Sequence, residues 1–173
     1  YTMNVIIIGM PASEKSCMGR TLAKPLRMKY VDTDKIIEKK TGRKLQEIIN
    51  EDGLDAFKRI EEEILCDVNG DNLIISTGGS AVYYERAMER FRGMGIVIYL
   101  HTSLETIVTR LGDFSKRGVA LRDGQTISEL YDERCALYEK YAHITLDCDG
   151  TNYAKYRDRA IMAIKAYQSY LMQ

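Results

Sequence analysis

The residues best suited to chemistry stand near the start of the chain. Val5 to Ile8 form a β-branched apolar run that stops at Gly9, and Lys15-Ser16 follow six residues later. Strand, short small-residue loop, Lys-Ser and helix, in that order, match the phosphate-binding pattern G-x-x-x-x-G-K-[ST]. Each part has a physical task. Exposed backbone N–H groups and a helix N-terminus meet phosphate oxygens, Lys15 adds a full positive charge, and the Ser16 hydroxyl is placed to ligate a magnesium ion. The second glycine of the pattern falls on Glu14, which puts a carboxylate where the backbone approaches the phosphates. Two like charges ~4 Å apart repel by about 4 kcal/mol at an effective dielectric of about 20. The Glu14 carboxylate therefore opposes the nucleotide, swings outward, or pairs with Lys15.

The surrounding elements follow from periodicity and punctuation. An amphipathic segment runs from Met18 to Leu26, and Lys29 to Val31 is a short apolar approach to Asp32-Thr33-Asp34. Helices are expected over Lys35–Lys40, ended by Thr41-Gly42, and over Lys44–Glu51 and Leu54–Val68. Leu73–Ser76 reads as a buried strand, followed by the loop Thr77-Gly78-Gly79-Ser80. Tyr83–Phe91 reads as a helix broken at Gly93 and Gly95, and Ile96–Leu100 as the next strand. Thr102 with Glu105, and Thr126 with Glu129, are spaced as capping boxes for helices reaching Leu111 and about Tyr141. Between them, Gly112 to Gly124 has little periodicity and reads as a mobile lid. Ile144–Leu146 is the last strand and Asn152–Leu171 the closing helix.

Strands alternating with helices predict an α/β fold: three layers, with a central parallel sheet of about five strands flanked by helices. Ligands in such sheets bind at the C-terminal strand edges, where the phosphate loop, Asp32–Asp34, Thr77–Ser80 and the lid can converge. The chain thus reads as one P-loop kinase domain over 1–173, with the lid at about 112–124 and acceptor-binding helices at about 35–68.

Composition narrows the partners. Lys+Arg and Asp+Glu both number 25 in 173 residues, so net charge is zero and no global field favours nucleic acid or a membrane surface. No apolar run approaches the roughly 20 residues of a membrane span. The four cysteines, Cys17, Cys66, Cys135 and Cys148, lack metal-ligand spacing and read as reduced thiols of a cytoplasmic protein. His101 and His143 stand alone at strand ends and read as structural. With no exposed heptad or apolar stripe, a monomer is expected.

The ordered set of landmarks resembles the shikimate kinase family. They are the phosphate loop, the DTD at Asp32–Asp34, FKRIE at Phe57–Glu61, TGGS at Thr77–Ser80, Arg110, the Arg117 loop and ERCALY at Glu133–Tyr138. The resemblance implies transfer of the ATP γ-phosphate to the 3-hydroxyl of shikimate, with magnesium, in aromatic amino-acid biosynthesis. On that resemblance, Lys15, Asp34 and Arg117 are the catalytic residues. ATP is held by Gly9, Ala12, Ser13, Glu14, Lys15, Ser16 and Cys17, with Arg110 near adenine and Arg117 closing from the lid. Ser16 ligates magnesium directly and Asp32 does so through water. Asp34, Lys58, Gly78, Gly79, Ser80 and Arg134 bind the acceptor, Asp34 as base and Arg134 on the carboxylate.

Several residues depart from the family pattern. Glu14 replaces a glycine, Lys58 an arginine, Ser80 the third glycine of TGGG, Ala136 a proline, and Cys17 a threonine, while the lid reads Arg117-Gly118-Val119-Ala120. Lysine keeps the charge at position 58 but loses the bidentate fork suited to a carboxylate. Two other functions stay open on these grounds: a related kinase with a different small hydroxylated acceptor, and a catalytically silent binding protein on the same fold.

Overall fold

The computed structural model describes residues 3–112 and 123–173. Five parallel strands lie in the order β2-β3-β1-β4-β5. They are β1 (Asn4–Ile8), β2 (Lys29–Asp32), β3 (Leu73–Ser76), β4 (Gly95–His101) and β5 (Ile144–Asp147). The helices are α1 (Lys15–Ala23), α2 (Thr33–Thr41), α3 (Leu45–Asp52), α4 (Leu54–Asp67), α5 (Glu85–Met94), α6 (Leu104–Leu111), α7 (Ile127–Tyr141) and α8 (Tyr153–Leu171).

Strand alternation divides the core into two layers. Val5 and Ile7 of β1 join Ile74, Ile96 and Ile98 on one face, covered by Met18 and Leu22 of α1 and Ala160 and Ile164 of α8. Ile6 and Ile8 join Ile75, Val97 and Tyr99 on the other, covered by α4, α5, α6 and α7. A separate cluster of Ile37, Ile48, Phe57 and Ile64 ties α2, α3 and α4 together beside the sheet. The expected α/β class, sheet and layering are therefore present. Most of the expected lid, including Arg117, lies outside the described residues.

Several boundaries differ from the sequence expectation, each for a local reason. The first helix begins at Lys15, well before Met18, because Glu14 takes the left-handed conformation (φ 69°) and turns the chain directly into it. The second begins at Thr33 because the Asp32 side chain caps it, accepting from the amides of Asp34 and Lys35. Ala81–Tyr83 form a 3₁₀ turn, so α5 starts at Glu85 and runs through Gly93. Ser103, rather than Thr102, caps α6 by accepting from the Thr106 amide, while the Thr102 hydroxyl is buried and faces the Cys148 carbonyl. The Thr126 cap on α7 is as expected.

Asn4 anchors the N-terminal edge of the sheet. Its side chain donates to the Gly70 and Met94 carbonyls and accepts from the Leu73 amide. Beside it, a Cβ at Gly95 would stand 2.1 Å from the Asn4 carbonyl oxygen and 2.6 Å from its carbon. Backbone cannot yield as a flexible side chain can, so Gly95→Ala is expected to cost about 2–4 kcal/mol by forcing β1 and β4 apart. Urea unfolding of the two chains side by side measures it.

Candidate active site

A cavity of about 460 Å³ opens at the C-terminal edge of the sheet, walled by the phosphate loop, α1, Asp34, α4, the Thr77–Ser80 loop, Arg110 and Arg134. This is where parallel α/β sheets place ligands.

The phosphate loop is shaped by left-handed residues. Ala12 (φ 65°) and Glu14 (φ 69°) both take positive φ, a conformation that costs a residue with a Cβ roughly 1–2 kcal/mol. The buried Ser13 hydroxyl donates to the Met10 carbonyl at 2.7 Å. Gly9 admits the next strand: a Cβ there would stand 2.9 Å from the Leu100 carbonyl oxygen. Lys15 folds back under this loop, donating to the Gly9 and Met10 carbonyls at 2.8 and 2.7 Å. An ammonium has three N–H groups, so one remains for the cavity that Lys15 lines. Burial lowers the Lys15 pKa to about 8 and Arg134 adds to that shift, against the pull of Asp34, Asp32 and Glu14. No ion pair joins Glu14 to Lys15 among the described residues. Glu14 instead lines the cavity, beside Ala12, Ser16 and Cys17.

Ser16 Oγ donates to Asp32 Oδ2 at 3.2 Å. Donating its one proton leaves the serine oxygen's lone pairs for a cation, and hydroxyl and carboxylate oxygens suit a hard cation. Among the described residues no group of three or more His, Cys, Asp and Glu could hold a metal. A sparse protein donor set of this kind fits magnesium, which keeps waters and takes further oxygens from phosphates.

Another part of the cavity wall is built around two glycines, Gly78 and Gly79. A Cβ at Gly78 would stand 2.7 Å from Asp34 Oδ1 and 3.1 Å from Glu61 Oε2, and one at Gly79 would stand 2.8 Å from Arg134 Nη1. Asp34 Oδ1 is buried without a hydrogen-bond partner. Burial raises the Asp34 pKa to about 7, with Glu61 and Asp32 adding to the rise and Lys15 opposing it. Glu61 is 2% exposed; its Oε1 accepts from the hydroxyls of Ser80 and, at 2.8 Å, Tyr84. Burial pushes the Glu61 carboxyl up, against those two bonds and Arg134. Arg134, 1% exposed, packs on the Tyr83 ring at 5.4 Å. The Tyr138 hydroxyl fastens the Gly79 carbonyl at 2.5 Å.

The structure thus brings Ala12, Glu14, Lys15, Ser16, Cys17, Asp34, Gly78, Gly79, Ser80, Arg110 and Arg134 to one cavity wall, with Asp32 behind Ser16. Gly9 and Ser13 support the loop from within. Lys58 is not part of the wall; its α4 neighbours Phe57 and Glu61 are. Arg110 straps the loop, donating to the Ala12 carbonyl at 3.0 Å and the Gly150 carbonyl at 3.4 Å. The Ser80 hydroxyl is occupied by Glu61. In the sequence Glu61 stands out only as the end of the FKRIE motif. Its spacing was a usable signal, since it sits four residues after Phe57 and three before Ile64 on the apolar stripe of α4.

A parallel sheet with a phosphate loop after its central strand, a buried lysine under that loop and a facing carboxylate defines a P-loop phosphotransferase. The shikimate kinase family model matches residues 11–165, and the chain belongs to that family. It is 33% identical over 171 residues to a shikimate kinase of Clostridium botulinum (strain 657), covering 96% of this chain and 97% of that one. A shikimate kinase of Vibrio parahaemolyticus is 32% identical over 149 residues, covering 84% and 87%. Among solved structures, a shikimate kinase from Acinetobacter baumannii in complex with shikimate superposes with a TM-score of 0.84 at 28% identity, covering 99% of this chain and 96% of that one.

The buried Asp34 charge has a stability consequence. Its folded pKa lies above the usual carboxylate value of 3.8, so the folded chain binds the extra proton and stability falls as pH rises from about 4 to about 7. Asp34→Asn is expected to stabilise the chain by roughly 2–4 kcal/mol at pH 8, and by little at pH 4. Urea unfolding at the two pH values checks the sign.

Proposed function

We propose that this chain transfers the γ-phosphate of ATP to the 3-hydroxyl of shikimate, as a cytoplasmic monomer serving aromatic amino-acid biosynthesis. The observation that carries the reading is the buried, unpartnered Asp34 Oδ1, in one cavity with Lys15 and Arg134. A shikimate hydroxyl is the kind of donor that oxygen lacks, and the shikimate carboxylate suits the buried guanidinium.

Phosphoryl transfer asks mainly for in-line positioning and for positive charge on the transferred group. Lys15 and the loop amides hold the phosphates. Arg134 orients the acceptor by its carboxylate. Asp34 takes the hydroxyl proton as the new P–O bond forms and the bond to ADP breaks, and its raised pKa suits it to that step. Ser16, and Asp32 through water, would hold magnesium, which would supply positive charge to the phosphates. Arg117, outside the described residues, supplies further charge from the lid. No helix among the described residues is long and apolar enough to cross a membrane.

Glu14 is the feature that favours a second reading, a chain that folds and binds acceptor but turns over poorly. Glu14 lines the phosphate cavity in a backbone conformation suited to glycine. Coupled ADP release from Mg-ATP, with and without shikimate, on the parent and Glu14→Gly chains separates the two. The expected result is shikimate-dependent release in both, with kcat/KM for ATP at least about tenfold higher in Glu14→Gly. Release in the glycine variant alone makes Glu14 a disabling residue, and silence in both overturns the kinase reading. Arg134→Lys, which keeps the charge and loses the fork, is expected to raise KM for shikimate roughly tenfold or more while KM for ATP holds.

A further inference from the structure

Tyr30 of β2 lies outside every role assigned above, yet its hydroxyl reaches Asp32 Oδ2 at 3.3 Å. This is the oxygen to which Ser16 donates at 3.2 Å. Its ring is seated by a missing side chain: a Cβ at Gly19 of α1 would stand 2.6 Å from Tyr30 Cε2 and 3.0 Å from Cδ2. The Arg20 guanidinium covers the same ring at 5.9 Å. On the other side of the carboxylate, Asp32 Oδ1 accepts from the amides of Asp34 and Lys35 at 2.9 and 3.4 Å. Donors from β2, α1 and the start of α2 therefore hold one carboxylate from both oxygens.

We propose that Tyr30 is a positioning residue for the divalent cation, its hydroxyl fixing the Asp32 carboxylate beside Ser16 and its ring seated by Gly19. The inference rests on reading Ser16 and Asp32 as the cation-facing pair. With Oδ1 tied to the α2 amides and Oδ2 shared by two hydroxyls, the carboxylate plane has little freedom to rotate. Ser16 in turn keeps its proton on Asp32 and its lone pairs toward the cavity. Outer partners of this kind commonly change metal affinity ten- to a hundredfold, and a ring packed equally well without the hydroxyl would lose that orientation alone.

The test is calorimetric titration with ADP, in magnesium and in EDTA, on Tyr30→Phe, Gly19→Ala and Ser16→Ala, each in the parent and Glu14→Gly backgrounds. Tyr30→Phe is expected to cut the magnesium-dependent gain in ADP affinity roughly tenfold, with affinity in EDTA and melting temperature unchanged. Gly19→Ala, which displaces the ring, should lose the same gain. If Ser16→Ala abolishes the gain and Tyr30→Phe keeps it, this proposal fails and the cation-facing pair stands. An equal loss of affinity in EDTA makes Tyr30 merely structural and also overturns it. If Ser16→Ala keeps the gain, or no chain binds ADP in either background, the underlying reading falls and this one with it.

Discussion

The site depends on one buried cation. The Lys15 ammonium, held by the Gly9 and Met10 carbonyls, closes the phosphate loop from beneath and joins the end of β1 to the start of α1. Two of its three donors are spent on backbone, which leaves the third N–H for the cavity. Burial lowers its pKa to about 8, so the acids around the cavity are needed to keep it charged near neutral pH. Asp34 and Asp32 both pull that pKa upward against burial.

Those acids create the opposite problem. Asp34 and Glu61 both approach Gly78 from within the protein, where neither has a Cβ to contend with. Glu61 is satisfied by the hydroxyls of Ser80 and Tyr84. Asp34 Oδ1 is left without a partner, at a cost in stability that a structural carboxylate would not carry. One acid is thus a wall and the other is the group kept available, and the difference lies in which hydroxyls reach them. Ser80 belongs to that division: its hydroxyl donates to Glu61.

Much of the fold was legible in the sequence because its signals are local. β-Branched runs, glycine punctuation, and the spacing of Leu54–Val68 mark strands and helices through short-range sterics and a one-sided apolar stripe. The errors were local as well. Glu14 started α1 early because a left-handed residue, not a hydrophobic period, sets that turn. Ser103 displaced Thr102 as a cap because Thr102 is drawn into the interior beside β5. The phosphate loop, the paired aspartates and the glycine pair were readable as sets because each has a fixed order along the chain.

By itself, then, the sequence determined the element order, the parallel sheet, the Lys15-Ser16 loop and the identity of the charged residues available at its mouth. Tertiary structure alone decided how those charges are used. It brought Glu61 from α4 against Ser80 and Tyr84, left Lys58 off the cavity wall, and turned Arg110 into a strap between Ala12 and Gly150. It also set the Tyr30 hydroxyl on Asp32 through the gap at Gly19. The physical reason is that periodicity specifies which face of an element is buried. Which polar atoms meet across that face depends on register and on missing side chains in elements distant in sequence, and no local pattern encodes either.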